Sequence, residues 1–505
     1  MREGKIKKMI EESGQAASEE NKEYLFSVKR LKQLWMKNHR LFEMLIVIIT
    51  FITSGLFLIL YISDSRIGNM ILFSLIFLVT FILVARYHHL QITIILVACS
   101  IALLFAVVLL ESFHWDFIVS HYIEWEVLAV VLGMSILVES TAETGLFDWL
   151  IIRMLKVSKG EVLPLFIMTF LLTLALSTVL ANVTAMILIS SMTFTICKGL
   201  DYDPIPFLLA AVLATDLAGM ATLISSLPAI LVGTTAGIGF TDFLLVSLPF
   251  VLISIPICLI YLIKFFPPEK IPLNQISDSI DTKMLLSLDP MGVIEDRRKF
   301  YLAAVSLGVT IVGFILAQPL NMPIGVIAIF GGILSMVLTR ANETELLSKL
   351  NWGALFFFAG LFVLIGLLEE TEILFDLTMW LQEISGGDLI ISGFMILLIT
   401  AFFSGILDNI PVTAALLPVV ETMSMTHAAI HPRYLWFVLV FSGALGGGWT
   451  PFGSAAGILA VSLLAKEGRP LNFKSFIKCL VPISVILLIL SGVYLYFLAF
   501  ILGVI

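Results

Sequence analysis

The chain has 505 residues, of which 59% are hydrophobic and 13% are charged, and its mean hydropathy is +1.07. Soluble globular proteins have an apolar share nearer half, so this composition excludes a soluble globular domain. The net charge of −8 and the lack of aromatic residues interleaved with the basic patches give no support for a nucleic-acid partner.

The N-terminal segment, residues 1–41, is basic and precedes the first apolar stretch at 42–62. The segment carries ten Lys or Arg residues, and basic residues near the ends of spans stay on the cytoplasmic side. We therefore place the N-terminus inside the cell. No small-residue cleavage site follows 42–62, so we expect a retained, additional transmembrane helix there.

Gaps in the Lys and Arg pattern predict the direction of the later crossings. No basic residue occurs between Arg86 and Arg153, or between Lys349 and Arg433, so each of these stretches contains an outside loop. The pattern predicts 11 crossings and places the C-terminus outside. The predicted crossings are 42–62, 69–85, 91–110, 125–139, 206–236, 242–263, 300–317, 323–339, 352–368, 433–465 and 479–502.

Two further apolar stretches, 162–197 and 389–422, are too long for one span. Polar residues interrupt the first at 181–184 and the second at 408–411. Since the Lys and Arg pattern places both ends of each stretch on one side, we interpret the two as re-entrant hairpins that enter from opposite faces.

Two of the crossings contain small-residue breaks. Segment 206–236 is interrupted at Gly219, and segment 433–465 is interrupted at Gly446 and Gly447. Backbone at membrane depth can leave the helix only where protein or a water-filled cavity satisfies its amides and carbonyls. We therefore interpret these glycines as helix breaks and not primarily as ligands. We expect the two breaks to border one site inside the protein.

The chain also matches itself at an offset of 227, which pairs Gly133 with Gly360 and Asn182 with Asn409. The match continues at 228 through the glycine breaks. Five predicted crossings separate the two copies, and because five is odd the copies must be inverted relative to each other. Inverted repeats around discontinuous helices are typical of transporters that work by alternating access.

The predicted architecture is therefore an all-α polytopic membrane protein with two inverted repeats. Each repeat contains three helices, a re-entrant hairpin, a discontinuous helix and a closing helix. The first repeat covers 69–264, a cytoplasmic linker covers 265–299, and the second repeat covers 300–502.

Several motifs recur in a known family. They are Leu146-Phe147-Asp148-Trp149-Leu150, Asn182-Val183-Thr184, Asp203-Pro204-Ile205-Pro206-Phe207, Ala221-Thr222-Leu223-Ile224, Asp408-Asn409-Ile410-Pro411-Val412-Thr413 and Gly453-Ser454-Ala455-Ala456-Gly457. Over roughly residues 70–500 the chain resembles the citrate-transporter-like family, which includes NhaD-type sodium/proton antiporters, arsenite permeases, dicarboxylate carriers and the melanosomal P protein. The resemblance implies a transporter fold.

The chain departs from this family in its carboxylates. The first hairpin of the family reads Asp-Asn, and here Ala181 replaces the Asp; residues 225–229 replace a turn that contains another Asp. Asp216 stands where the family has a neutral residue. The repeat partners of Asp216 and Asp408 are Ala444 and Ala181, so each half carries one carboxylate on a different element.

A carboxylate at the centre of a bilayer costs at least about 2.5–3.5 kcal/mol, which makes an intramembrane Asp a functional hypothesis. Asp216 and Asp408 could also serve as helix caps, asparagines at breaks are common turn residues, and small hydroxyls also favour close helix packing. The candidate ion- or substrate-binding residues are Asp408, Asn409, Asn182, Asp216, Thr184, Thr413, Thr222, Thr450, Ser226 and Ser454.

These residues predict an ion-coupled secondary transporter in the plasma membrane, with Na⁺/H⁺ antiport as the first hypothesis, because intramembrane carboxylates can bind Na⁺ and H⁺ in turn. Coupled transport of an anion or metalloid such as arsenite, a dicarboxylate or chloride is the alternative, and a passive channel is a remote one.

The four cysteines and seven histidines show no ligand spacing, and no nucleophile has a positioned base. We therefore expect no enzyme activity, no cofactor and no metal beyond transported Na⁺. The expected partners are a small ion or anion and membrane lipid. Association of two copies into a homodimer is an alternative that the sequence leaves open.

Overall fold

The computed structural model describes residues 66–87, 90–110, 114–180, 182–272, 289–427, 433–501 and 503. Within these ranges the chain is helical and forms no β-strand beyond one isolated bridge between Tyr202 and Pro272. The predicted basic segment 1–41 and the additional helix 42–62 lie outside the described residues.

The longer helices of the described chain are numbered here in sequence order. They are α1 (Arg66–Arg86), α2 (Gln91–Leu109), α3 (Trp125–Ala142), α4 (Leu146–Ser158), α5 (Val162–Ser177), α6 (Asn182–Leu200), α7 (Pro204–Ala218), α8 (Leu227–Thr235), α9 (Phe240–Phe265), α10 (Arg297–Ala317), α11 (Ile324–Thr339), α12 (Glu343–Lys349), α13 (Trp352–Glu370), α14 (Ile373–Ser385), α15 (Leu389–Leu407), α16 (Asn409–His427), α17 (Tyr434–Gly447), α18 (Ala455–Lys466) and α19 (Phe473–Tyr496). Shorter helical segments are Trp115–Phe117, Ile118–Tyr122, Pro268–Lys270, Pro290–Val293 and Phe497–Ile501.

Nine helices within the described ranges are long and apolar enough to cross a membrane. Their outer faces keep large apolar side chains exposed, such as Leu104 at 71% and Val108 at 77% on α2, which is the pattern that lipid contact favours. The chain is an integral membrane protein, and the prediction of an all-helical polytopic fold is confirmed. The 11 crossings and the re-entry of the hairpins stay predictions, since α6 and α15 are themselves long enough to cross.

The helix boundaries recur between the two halves. Helices α4 and α14 each have 13 residues, and they begin at Leu146 and Ile373, which keeps the offset of 227. The predicted hairpins are helix pairs, α5 with α6 and α15 with α16, and each pair is interrupted where the sequence placed the break. The first interruption follows α5, and the second is at Asp408, the single residue between α15 and α16.

Each half packs its third helix against the second helix of the other half, α3 against α11 and α13 against α2. The first pair is the closer one, because an added Cβ at Gly133 would lie 2.2 Å from the backbone carbon of Ala328. The hydroxyls of Ser140 and Ser335 are 2.7 Å apart across this same contact. In the second pair, an added Cβ at Gly360 would lie 3.3 Å from a side-chain carbon of Ile95. Small residues thus allow close approach of helices from opposite halves.

The two discontinuous helices lie at the centre of the fold. The first is α7 followed by α8, with Gly219 as the residue that ends α7. The second is α17 followed by α18, with Gly448 in the same place. Every residue of α17 is buried, and so are residues 219–226 of the first break, as the membrane interior requires of non-helical backbone. The second break is less enclosed, since Trp449 and Thr450 are half-buried and Phe452 is exposed.

Candidate functional site

Each hairpin is attached to the break of its own half by an equivalent hydrogen bond. The hydroxyl of Thr222 donates to the carbonyl of Thr178 at 2.9 Å, and the hydroxyl of Thr450 donates to the carbonyl of Gly405 at 2.6 Å. Both donors and both acceptors are repeat partners. Thr222 and Thr450, which the sequence nominated as ligands, therefore already have a structural use for their hydroxyl protons.

Ser226 and Ser454 begin the second part of each discontinuous helix. Each hydroxyl oxygen accepts a hydrogen bond from a backbone amide three residues later, Ala229 or Gly457, at 3.3 Å in both cases. This is the usual N-cap geometry, and serine is a favoured residue for it. The second contacts differ: Ser226 also donates to the carbonyl of Gly219 at 2.5 Å, whereas Ser454 lies within hydrogen-bonding reach of the Asp216 carboxylate.

Asp216 is buried in the last turn of α7 and is 4% exposed. Its Oδ2 has no hydrogen-bond partner among the described residues. The carboxylate projects from the first half toward the break of the second half, since an added Cβ at Gly448 would lie 2.9 Å from this oxygen. Asp216 is also close enough to Asp408 for the two carboxylates to interact electrostatically. The structure therefore brings the two nominated carboxylates into one region.

Asp408 occupies an unusual backbone conformation at the tip of the second hairpin, with φ +105° and ψ 145°. L-residues rarely adopt such a conformation, and holding one there costs about 1–3 kcal/mol. Its Oδ1 accepts a long hydrogen bond, 3.5 Å, from the amide of Ile410. Such a weak cap bond does not account for a strained aspartate, so the capping alternative explains only part of this position.

Asn182 and Asn409 line the same partly open cavity, which has a volume of about 420 Å³. Asn409 is 8% exposed, and the buried Oδ1 of Asn182 has no hydrogen-bond partner among the described residues. The predicted residues Thr184, Ser226 and Ser454 line this cavity too. Five of the ten nominated side chains therefore share one space.

The other nominated residues lie outside the cavity lining. They are Asp216, Asp408, Thr222, Thr413 and Thr450. Thr413 is fully buried, and its hydroxyl lacks a hydrogen-bond partner within the described ranges. An added Cβ at Gly443 would lie 2.9 Å from that hydroxyl oxygen. The carboxylates thus form a separate cluster adjacent to the cavity residue Ser454.

The cavity lining also includes Glu139, Lys349 and Asn351, which are not among the residues predicted from the sequence. The Lys349 Nζ lies 3.0 Å from Glu143 Oε1 and 2.8 Å from Glu345 Oε1. The Lys349 ammonium donates hydrogen bonds to Glu345 and to Glu143, and these bonds raise the pKa of Lys349 above its ordinary value. These residues lie where the Lys and Arg pattern predicts the cytoplasmic face. They are far apart along the chain, so the sequence did not show that they line one cavity.

Helix ends give the site opposite polarities at its two edges. Helices α7 and α17 end beside Asp216 and Gly448, and the carbonyl ends of helices are partially negative, which favours a cation. Helices α8 and α18 begin at Ser226 and Ser454, which line the cavity, and the amide ends of helices favour an anion. Among the described residues no group of three or more His, Cys, Asp or Glu side chains is arranged to hold a metal ion.

Two discontinuous helices and two interrupted hairpins around a partly open cavity define a membrane transporter. The family model described as "Citrate transporter" matches residues 78–442, so the chain belongs to the citrate transporter family. The resemblance drawn from the motifs is confirmed.

Similar proteins include an uncharacterized transporter of Mycobacterium tuberculosis, 32% identical over 383 residues that make up 75% of this chain and 88% of that protein. The human P protein is 25% identical over 451 residues, covering 73% of this chain and 53% of its own length. Among solved structures, the YdaH transporter of Alcanivorax borkumensis superimposes with a TM-score of 0.52 at 15% identity, covering 74% of this chain and 84% of the other. This last likeness concerns the fold alone.

Proposed function

We propose that this protein is a secondary active transporter that works by alternating access, and that it exchanges Na⁺ for H⁺ through the carboxylates Asp408 and Asp216. One observation carries the proposal. Asp216 of the first half lies in the last turn of α7 and faces Gly448 at the end of α17, and it is close enough to Asp408 of the second half to interact with it electrostatically. A cation or a proton can neutralise such a pair in turn, because two neighbouring buried carboxylates are costly to leave charged together.

The charge of the site supports a cation more than a large polyanion. Lys349 is the one cationic residue among the described residues that line the cavity, and Glu143 and Glu345 already engage it. The strained conformation of Asp408 adds support, since backbone strain is retained at sites where it serves function.

A second candidate function is cation-coupled transport of a small anion such as a di- or tricarboxylate. The observation that favours it is the cavity of about 420 Å³, which has the capped N-termini of α8 and α18 in its wall. The family description printed as "Citrate transporter" also supports this alternative. In this second mechanism, Asp216 and Asp408 bind the cation whose gradient drives transport, and the cavity binds the anion.

Proteoliposomes loaded with Na⁺ and a trapped pH-sensitive dye separate the two functions. For exchange, diluting the vesicles into Na⁺-free buffer should acidify the lumen, because Na⁺ leaves as H⁺ enters. For Na⁺-coupled anion transport, this dilution should leave the luminal pH unchanged, and a radiolabelled carboxylate should instead accumulate in vesicles when Na⁺ is supplied outside. Absence of any coupled flux, with Na⁺ or with a panel of carboxylates, would refute both.

Asp408→Asn is the decisive variant, and Asp388→Asn is its matched control. Asp388 is the exposed N-cap of α15, and its Oδ1 accepts from the amides of Ile390 and Ile391 at 2.8 and 2.9 Å. Asparagine caps helices as well as aspartate does, so the control should transport at the parent rate. Asp408→Asn should lose coupled flux while remaining folded. Parent-like exchange in Asp408→Asn would exclude the carboxylate mechanism.

A further inference from the structure

Side-chain oxygens from two other helices face Gly448, and the carbonyl oxygen three residues earlier in its own helix, α17, lies on the same side. An added Cβ at Gly448 would lie 2.9 Å from Asp216 Oδ2, 3.0 Å from Ser484 Oγ and 3.7 Å from the carbonyl oxygen of Leu445. These residues belong to α7, α19 and α17 respectively. Any side chain at position 448 would enter the space that the three oxygens share, so glycine is the residue that keeps it open.

Both side chains that face Gly448 are almost fully buried, since Asp216 is 4% exposed and Ser484 is 1% exposed. Asp216 Oδ2 has no hydrogen-bond partner among the described residues. A buried carboxylate oxygen without a partner is costly. This cost is removed when a proton or a cation binds.

The backbone around Gly448 also selects a cation. Helix α17 ends at Gly447 with Gly448 as its C-cap, so the partially negative end of the helix lies at this point; the Gly446 carbonyl of the last turn already accepts from the amide of Trp449 at 2.9 Å. Ser454, the N-cap of α18, lies within hydrogen-bonding reach of the Asp216 carboxylate.

The first half has no counterpart of this arrangement. At the offset of 228 the partner of Gly448 is Met220, which is buried, and the partner of Asp216 is Ala444. Position 220 carries a side chain where position 448 carries none, and Ala444 offers no side-chain oxygen. Among the described residues the arrangement is therefore asymmetric, with its carboxylate from the first half and its glycine from the second.

We propose that one small monovalent cation, Na⁺ or Li⁺, binds beside Gly448, held by Asp216 Oδ2, the Ser484 hydroxyl and the Leu445 carbonyl. The inference rests on the proposed coupling function and makes it more specific, since it assigns the cation to a place and adds Ser484 as a ligand. One carboxylate balances one monovalent charge, and oxygen atoms are the ligands that such hard cations take.

Direct binding of radioactive Na⁺ to the purified full-length protein in detergent tests the site independently of transport. Ser484→Ala removes one ligand oxygen and should weaken Na⁺ binding at least about tenfold. Ser491→Ala is the matched control, because Ser491 is buried on the same helix and its hydroxyl donates locally to the carbonyl of Leu488 at 2.7 Å. The control should bind Na⁺ like the parent.

Gly448→Ala places a methyl group among the oxygens and should abolish saturable Na⁺ binding. Its control is Gly492→Ala, where an added Cβ meets only a side-chain carbon of Leu397 at 3.4 Å. Thermal unfolding in choline buffer reports whether each variant is folded. If Gly448→Ala does not fold, Ser484→Ala decides the question.

Parent-like Na⁺ affinity in Ser484→Ala would overturn the inference, and so would the absence of saturable Na⁺ or Li⁺ binding to the parent protein. The inference can fail without the proposed function: parent-like Na⁺ affinity in Ser484→Ala together with loss of exchange in Asp408→Asn would keep the exchanger and remove the Gly448 site. Conversely, saturable Na⁺ binding that Ser484→Ala weakens, with no coupled flux in vesicles, would keep the site and remove the exchanger.

Discussion

The breaks of the two discontinuous helices share their sequence pattern and their capping bonds but differ in what their serine hydroxyls contact. In the first half, Ser226 donates to the Gly219 carbonyl of its own break. In the second half, the equivalent Ser454 reaches Asp216, which comes from the other half. The first break is thus closed by its own residues, whereas the second receives a carboxylate. A repeated scaffold can therefore hold a single, asymmetric cation site.

The two cross-half helix contacts differ in a parallel way. The contact of α3 with α11 brings backbone against backbone at Gly133, and the contact of α13 with α2 leaves side-chain space at Gly360. The two glycines are repeat partners. Gly133 and Gly360 are thus equivalent in the repeat, but the packing around them leaves different room for an added side chain. Substitutions at the two positions can measure this difference.

The largest expected difference is between the two carboxylates. Asp408→Asn should abolish coupled flux, since it removes a titrating charge while asparagine tolerates positive φ. Asp216→Asn should act more mildly on the maximum rate and should mainly raise the Na⁺ concentration for half-maximal exchange. Proteoliposome flux over a series of Na⁺ concentrations measures both. Equal loss of maximum rate in the two variants would show that the carboxylates act as one coupled pair.

The next largest difference concerns packing between the halves. Gly133→Ala should lower the free energy of unfolding by about 1–3 kcal/mol or more, because the new methyl group overlaps the backbone of α11. Gly360→Ala should cost less than about 1 kcal/mol, since the new methyl group meets side-chain carbons of Ile95 at 3.3 and 3.5 Å and the Ile95 carbonyl oxygen no closer than 3.7 Å. Thermal unfolding followed by size-exclusion chromatography compares the two. Equal losses would show that the α3 contact is no closer than the α13 contact.

A smaller difference separates the two capping serines. Both Ser226→Ala and Ser454→Ala lose an N-cap, worth about 1 kcal/mol each. Only Ser454→Ala should also weaken Na⁺ binding, because only Ser454 lies within reach of the Asp216 carboxylate. Na⁺ binding together with thermal unfolding distinguishes the roles, and a change of Na⁺ affinity in Ser226→Ala would contradict the asymmetry.

The smallest expected difference is between the threonines that attach the hairpins. Thr222→Val and Thr450→Val each remove one hydrogen bond to a backbone carbonyl and should each cost about 1 kcal/mol of stability. Neither should alter Na⁺ affinity. Thermal unfolding in choline and Na⁺ binding test this pair, and a selective loss of binding in Thr450→Val would move Thr450 from a structural to a ligand role.

Much of the architecture could be predicted from local signals. Long apolar stretches identify spans, and the polar interruptions at Asn182 and at Asp408 coincide with the observed hairpin breaks. Glycines at 219 and 446–448 coincide with the ends of α7 and α17. These features succeed because the bilayer leaves few backbone conformations that satisfy every amide and carbonyl. The short helices α4 and α14 were not predicted, because neither is long enough to be recognised as a membrane-spanning segment.

The site was predicted only in part. Asp216, Asp408, Asn182 and Asn409 were nominated because polar residues in apolar stretches stand out. Ser484 was missed, since a serine in a long membrane helix looks like any packing residue. Lys349 was missed as well, because the sequence places it in a connecting segment and does not show that it lines the cavity.

The sequence alone determined the helical membrane fold, the repeat, the positions of the breaks and the family, because all of these depend on apolar length, on residue spacing and on motifs within one segment. Tertiary structure decided which oxygens meet. Asp216 and Ser484 are far apart along the chain and belong to different helices, and only the crossing of those helices at Gly448 brings their side chains to one point. Proximity of that kind depends on packing between elements, which no local pattern of residues encodes.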